Sequence, residues 1–158
     1  MNNFALIVGA SAISLASCSS LAQAWPSGIE KLEPAVSQSK FKATFPTAPV
    51  VPPDASVSPE KAKWSGKWEG WACKDFSCDA KLAVLSVTNE GAKIAPGWAG
   101  NSAASPTRIR DAVFVGNELH VLEGDPRWYY RMRKAGDIEV LRTTDAGGMG
   151  YGVLNKAD

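Results

Sequence analysis

From Trp64 onward, turn signals containing Gly recur every 8 to 15 residues. That spacing interrupts any helix of ordinary length and reads as a succession of short strands. Eight are expected, at 64–73, 79–88, 92–98, 107–115, 118–123, 127–133, 138–144 and 150–155. Most connections are short, such as Asn89-Glu90-Gly91, Gly116-Asn117 and Gly124-Asp125-Pro126, and short connections force antiparallel neighbours. The exception is the small, polar stretch 99–106. Side chains in this region alternate with period two. Trp64, Gly66, Trp68, Gly70 and Ala72 share one face of the first strand, opposite Ser65, Lys67, Glu69 and Trp71. In the sixth, Trp128, Tyr130 and Met132 oppose Arg127, Tyr129, Arg131 and Arg133; in the fifth, Leu119 and Val121 oppose His120 and Leu122. An antiparallel meander with one apolar face removes its exposed edges by closing on itself. The expected fold is all-β: an eight-stranded antiparallel meander closed into a small barrel, which holds either packed side chains or one small ligand.

The chain before residue 64 is different in kind. Residues 18–63 hold seven of the ten prolines and little apolar periodicity. Proline removes backbone donors and pushes its predecessors to extended conformations, so this stretch reads as a disordered, Pro-rich linker. It would reach ~140 Å fully extended and ~40 Å as a coil. Short helical turns are expected only at Ile29-Glu30-Lys31-Leu32 and Ser58-Pro59-Glu60-Lys61.

Phe4 to Leu15 is an uncharged apolar run, shorter than the ~20 residues a membrane-spanning helix needs, with the length of a signal-peptide core. It ends in Leu15-Ala16-Ser17-Cys18, which resembles the bacterial lipobox. The resemblance implies a signal peptide at 1–17 and a mature chain beginning at lipidated Cys18, a permanent membrane anchor. Ser19 in place of Asp implies the outer membrane under the enterobacterial pattern. Met1-Asn2-Asn3 lacks the usual basic residue, and Ala22-Gln23-Ala24 offers the alternative of plain secretion by cleavage after Ala24. The division is therefore signal 1–17, linker 18–63 and domain 64–156.

Charge and composition exclude several functions. With 17 basic and 16 acidic residues the net charge is +1, which gives no electrostatic footprint for nucleic acid. One His and three Cys exclude most zinc sites, and no metal or cofactor is expected. No phosphate loop, Gly-x-Ser-x-Gly or His-Glu-x-x-His motif is present. His120 reads as a surface or structural histidine, and the carboxylates Glu69, Asp111, Glu123 and Asp145 are scattered over different strands. Cys73 and Cys78 flank the first hairpin, and in an exported chain they are expected to form a disulfide. Arg127, Arg131 and Arg133 read as a solvated basic strip. Trp71, Trp98, Tyr129, Arg108 and Arg110 fit a filled core poorly. They are the candidate binding residues, because aromatic faces beside polar groups are what sugar rings and peptide strands bind.

Ser65-Gly66-Lys67-Trp68-Glu69-Gly70 resembles the Gly-x-Trp opening of calycin barrels, the lipocalin and avidin group. With Leu82-Ala83-Val84-Leu85-Ser86-Val87 and the ending Tyr151-Gly152-Val153-Leu154, the domain is similar to small lipocalin-like bacterial domains of unsettled activity. The resemblance implies an arginine packed over the first-strand tryptophan, with Arg142 on Trp68 as the pair here. A weaker similarity is to lipid-anchored protease-inhibitor barrels. The expectation is a non-catalytic envelope binding module for a saccharide, cell-wall fragment, small ligand or protein. The alternatives are a periplasmic protease inhibitor and a small carboxylate-dependent hydrolase.

Overall fold

Eight strands follow one another: β1 (Gly66–Ala72), β2 (Cys78–Val87), β3 (Gly91–Ala99), β4 (Arg110–Val115), β5 (Glu118–Val121), β6 (Arg127–Met132), β7 (Ile138–Thr143) and β8 (Met149–Lys156). Each pairs antiparallel with its predecessor, and β8 pairs with β1, so the meander closes into a barrel. The structure is a computed structural model that describes residues 25–100, 104–105 and 107–157. The signal segment and Cys18 lie outside the described residues.

The interior is filled by one face of the sheet, and in β1, β5 and β6 that is the face alternation assigns to it. Trp68, Leu82, Ile94, Leu119, Ile138 and Leu154 are all fully buried in one continuous cluster. Each such side chain stabilises the fold by roughly 1.5–3 kcal/mol through burial. Glycine is required where strands approach closest, at the closing seam. A Cβ on Gly70 would lie 2.1 Å from the Val153 carbonyl oxygen, and one on Gly152 would lie 2.0 Å from that of Trp71.

One end of the barrel is plugged by its own chain. A single helical turn, α1 (Pro59–Ala62), opens with Pro at its first position, where the missing N–H is no loss. Trp64 was expected to begin the first strand. Instead it follows α1 as a stopper, 2% exposed, edge-on to Phe114 with centroids 5.9 Å apart. Its carbonyl accepts the Trp68 indole N–H at 3.0 Å. Gly66, at φ +120°, then turns the chain into β1.

The expectation of a disordered linker is corrected for residues 25–63, which form a strap around the outer wall. Trp25 donates to Glu118 at 2.7 Å beside the plugged end. The Leu32 carbonyl accepts from Arg133 at 2.6 Å, and the Glu33 carbonyl accepts the Trp71 indole N–H at 2.9 Å. At the opposite end Gln38 N donates to Phe76 O at 2.9 Å, and Ala43 N donates to the Asp79 carboxylate at 2.8 Å. Phe45, Ala48 and Val50 then cover Ala83, Leu85 and Ala95, and Val51 N donates to Leu85 O at 2.7 Å. The physical reason is on the barrel. Trp71, Leu85, Tyr129, Leu141 and Val153 fall on outward-facing positions and are nonetheless buried. An apolar wall needs a cover, and a proline-rich segment can lie on it without a ladder because it lacks donors to satisfy.

Asp79 is the strap's buried clasp, also 3.5 Å from Lys42. Asp79→Ala is expected to cost about 2 kcal/mol, the range of a charge-assisted bond. The check is limited proteolysis: trypsin cleavage at Lys40 and Lys42 should accelerate ~30-fold while the barrel stays intact.

The expected disulfide forms: Cys73 and Cys78 are bonded across the β1–β2 hairpin.

Candidate functional site

The open end is shaped by where one ladder stops. β3 and β4 pair only from Gly91↔Val113 to Ile94↔Arg110. Beyond Ile94, β3 continues to Ala99 paired on its β2 side. Pro96 sits in this stretch, where a missing donor is tolerated because no β4 carbonyl faces it. The two strands part there, and a pocket of about 240 Å³ opens between them and the β5–β6 turn. Its lining includes Trp98, Trp128, Arg108, Arg110, Arg142 and Asp125.

Most of these side chains are held. Trp98 and Trp128 meet edge to face at 5.4 Å and form the floor. Gly150 allows the indole to lie against β8, because a Cβ there would be 2.9 Å from the Trp98 ring. The Arg142 guanidinium lies 5.7 Å and 5.8 Å from the centroids of Trp98 and Trp128. Arg110 donates to the Glu123 carbonyl at 3.0 Å. Gly124, at φ +78°, leaves room for it, since a Cβ would be 2.8 Å from its terminal nitrogen. Arg108 and Asp125 stand exposed at the rim, and Asp125 accepts a backbone N–H from Asp145 at 3.1 Å.

Tyr130 lies on the same inward face as Trp128, two residues deeper, with the two rings parallel and 6.3 Å apart. Its hydroxyl is buried with no hydrogen-bond partner among the described residues. Burial pushes that hydroxyl well above the usual tyrosine range, and the nearby Arg110 charge acts in the opposite direction. Below pH 10.0, the ordinary value, folded and unfolded chains both keep the proton. Above it the unfolded chain ionises while the folded one does not, so stability falls as pH rises. Tyr130→Phe is expected to flatten this alkaline decline in urea melts between pH 9 and pH 11. At pH 7 it should leave stability unchanged or raise it by about 1 kcal/mol, because an unpaired buried hydroxyl is removed.

Of the expected binding residues, Trp98, Arg108 and Arg110 converge here. Trp71 and Tyr129 do not. Trp71 is covered by the strap and by Phe76, 4.6 Å away, and Tyr129 is buried against His120 at 5.0 Å. The expected Arg142–Trp68 pair is also corrected. Arg142 is opposite Gly150 on β8, whereas Trp68 is opposite Lys156, six residues along that strand at the plugged end. At ~3.4 Å per residue the two are too far apart, and the Lys156 ammonium covers Trp68 instead, at 4.3 Å. Trp128 and Tyr130 were assigned to the core by alternation. What would have singled out Trp128 is its position beside the turn Gly124-Asp125-Pro126.

The remaining polar candidates are structural. His120 is 4% exposed and bonded to Glu118 at 2.7 Å, the carboxylate that also accepts the Trp25 indole N–H. The expected solvated strip of arginines is corrected at two of its three members: Arg127 is exposed, but Arg131 is bonded to buried Glu139 at 2.7 Å and Arg133 to Asp137 at 2.7 Å. The strap lies against both: the Trp25 ring is 4.5 Å from the Arg131 guanidinium, and the Leu32 carbonyl accepts from Arg133. Among the catalytic alternatives, Glu69 pairs with Lys81, Asp111 with Lys93 and Asp145 with Arg127. A larger groove of about 470 Å³ runs beside the strap, where Lys42, Asp79, Glu69 and Lys81 already neutralise one another.

Fold and site together define a small, closed, antiparallel barrel of calycin-like architecture with one sealed and one open end. No family model matches the chain, and no curated protein and no solved structure matches it.

Proposed function

We propose that this chain is a non-catalytic binding module of the cell envelope, anchored by lipid at Cys18, that takes a small ligand at the barrel mouth. The observation that carries the reading is the asymmetry of the two ends. One is stoppered by Trp64, and the other gathers two indoles and three guanidinium groups around a pocket. The pocket falls below the ~300–1,000 Å³ of a drug-sized site, which favours a ligand of about one ring over a lipid or a peptide.

The strap gives the anchor a direction. Trp25 is fixed beside the plugged end, and seven residues separate it from Cys18, a reach of at most ~25 Å. An anchored barrel would turn its plugged end to the membrane and its mouth away. The strap also weighs against the protease-inhibitor alternative, in which the N-terminal trunk enters a protease cleft, because here that segment is bonded to Phe76, Asp79 and Leu85.

Indole fluorescence against a panel of monosaccharides and cell-wall fragments tests the mouth. A saturable change abolished in an Arg110→Gln, Arg142→Gln double variant, but kept in Lys93→Ala, supports it. A change indifferent to the double variant sinks it. Cys18→Ser should move the protein from the membrane pellet to the soluble fraction, and an unchanged distribution would refute the anchor.

A further inference from the structure

The chain has six arginines, and they divide sharply. Arg127, Arg131 and Arg133 each lie within 4.0 Å of a carboxylate. Arg108, Arg110 and Arg142 have no carboxylate within that distance among the described residues, and all three line the mouth. Arg110 and Arg142 are half-buried. Partly desolvated guanidinium groups without counter-charges attract an anion, and their planar forks match a carboxylate. The rim adds one acceptor, Asp125, which would repel a multiply charged anion but accept a hydroxyl. The floor is aromatic. Behind it the Tyr130 hydroxyl, buried without a hydrogen-bond partner among the described residues and near the Arg110 charge, is a second sign of a missing polar partner.

We infer that the mouth selects a sugar acid: a single sugar ring whose carboxylate lies between Arg110 and Arg142 and whose hydroxyls face Asp125. This rests on the reading of the mouth as the ligand site. Arg108 is the outer electrostatic gate, exposed and with no hydrogen bond or ion pair among the described residues. Tyr130, behind the floor, assists through Arg110 without itself bearing charge.

The probes are D-glucuronate, D-galacturonate, D-glucose, benzoate and inorganic phosphate, titrated by indole fluorescence into the purified chain. A uronate is expected to bind at least ~10-fold more tightly than glucose, the worth of one charge-assisted pair. That preference should collapse in the Arg110→Gln, Arg142→Gln variant and weaken about threefold in Arg108→Gln, which leaves the melting temperature unchanged. Tyr130→Phe should weaken uronate binding without loss of stability, which separates a ligand role from a folding role. Glucose binding as tightly as the uronates overturns the acid and leaves the mouth standing. Benzoate or phosphate matching the uronates overturns the sugar acid in favour of a simpler anion. Uronate binding that survives every mouth variant overturns the site itself. Absence of binding by all five probes overturns the inference, while the cell-wall panel still decides the mouth.

Discussion

Gly152→Ala is expected to destabilise the barrel by about 3 kcal/mol or more, the upper range for a side chain forced into a packed site. The added methyl would sit 2.0 Å from the Trp71 carbonyl oxygen and 2.7 Å from the Ala72 Cα. Both atoms belong to backbone, so no rotamer change relieves the clash. Only β1 and β8 moving apart would, and that opens the seam on which closure depends, since Ala72 pairs with Gly152 there. At ~4–8 °C per kcal/mol for a domain of this size, the thermal midpoint should fall by more than 10 °C. Gly100→Ala is the control, because nothing among the described residues lies within 4 Å of its Cβ position. Equal midpoints for the two variants would mean that the seam yields easily and that the glycine is not what permits closure.

Trp68→Ala should cost about 3–5 kcal/mol, as large-to-small changes of buried aromatics do. The indole is 2% exposed at the centre of the plugged end. Its loss leaves a cavity beneath Lys156 and deprives the Trp64 carbonyl of its donor. Against a total stability of ~5–15 kcal/mol, the loss brings the domain near its threshold. Urea unfolding followed by circular dichroism measures it. A change under 1 kcal/mol would show that the Trp68 indole contributes little to the plugged end.

Much of the barrel was readable in the residues. All eight strands appear, with ends displaced by at most three residues, and the inward faces of β1, β5 and β6 are those that alternation gave. Trp64 was misassigned because its spacing continues the alternation of Trp68 and Ala72, while the turn of α1 that takes it out of the sheet follows from Pro59. The strap was misread because proline content argues against regular structure and says nothing of docking. Its trace was present all the same. Trp71 and Tyr129 were surplus apolar residues on a face expected to be wet, and Phe45, Val50 and Val51 were apolar residues in a segment expected to be free. The two anomalies explain each other.

Half of the candidate site was readable too. Trp98, Arg108 and Arg110 were chosen as misfits in a filled core, and they meet at the mouth. Arg142 is legible as a partner for a tryptophan, but the end of the barrel it occupies is set by its register opposite Gly150.

Strand identity, inward faces and the disulfide hairpin are local properties, set by side-chain period and turn chemistry along a few consecutive residues, and the amino-acid order alone determines them. Which arginine shares an end with which tryptophan, and which outward faces are covered, depends on register accumulated around the closed sheet and on where β3 and β4 part. Register is a collective result of packing all eight strands at once. Only the folded barrel decides it, and with it the chemistry of the mouth.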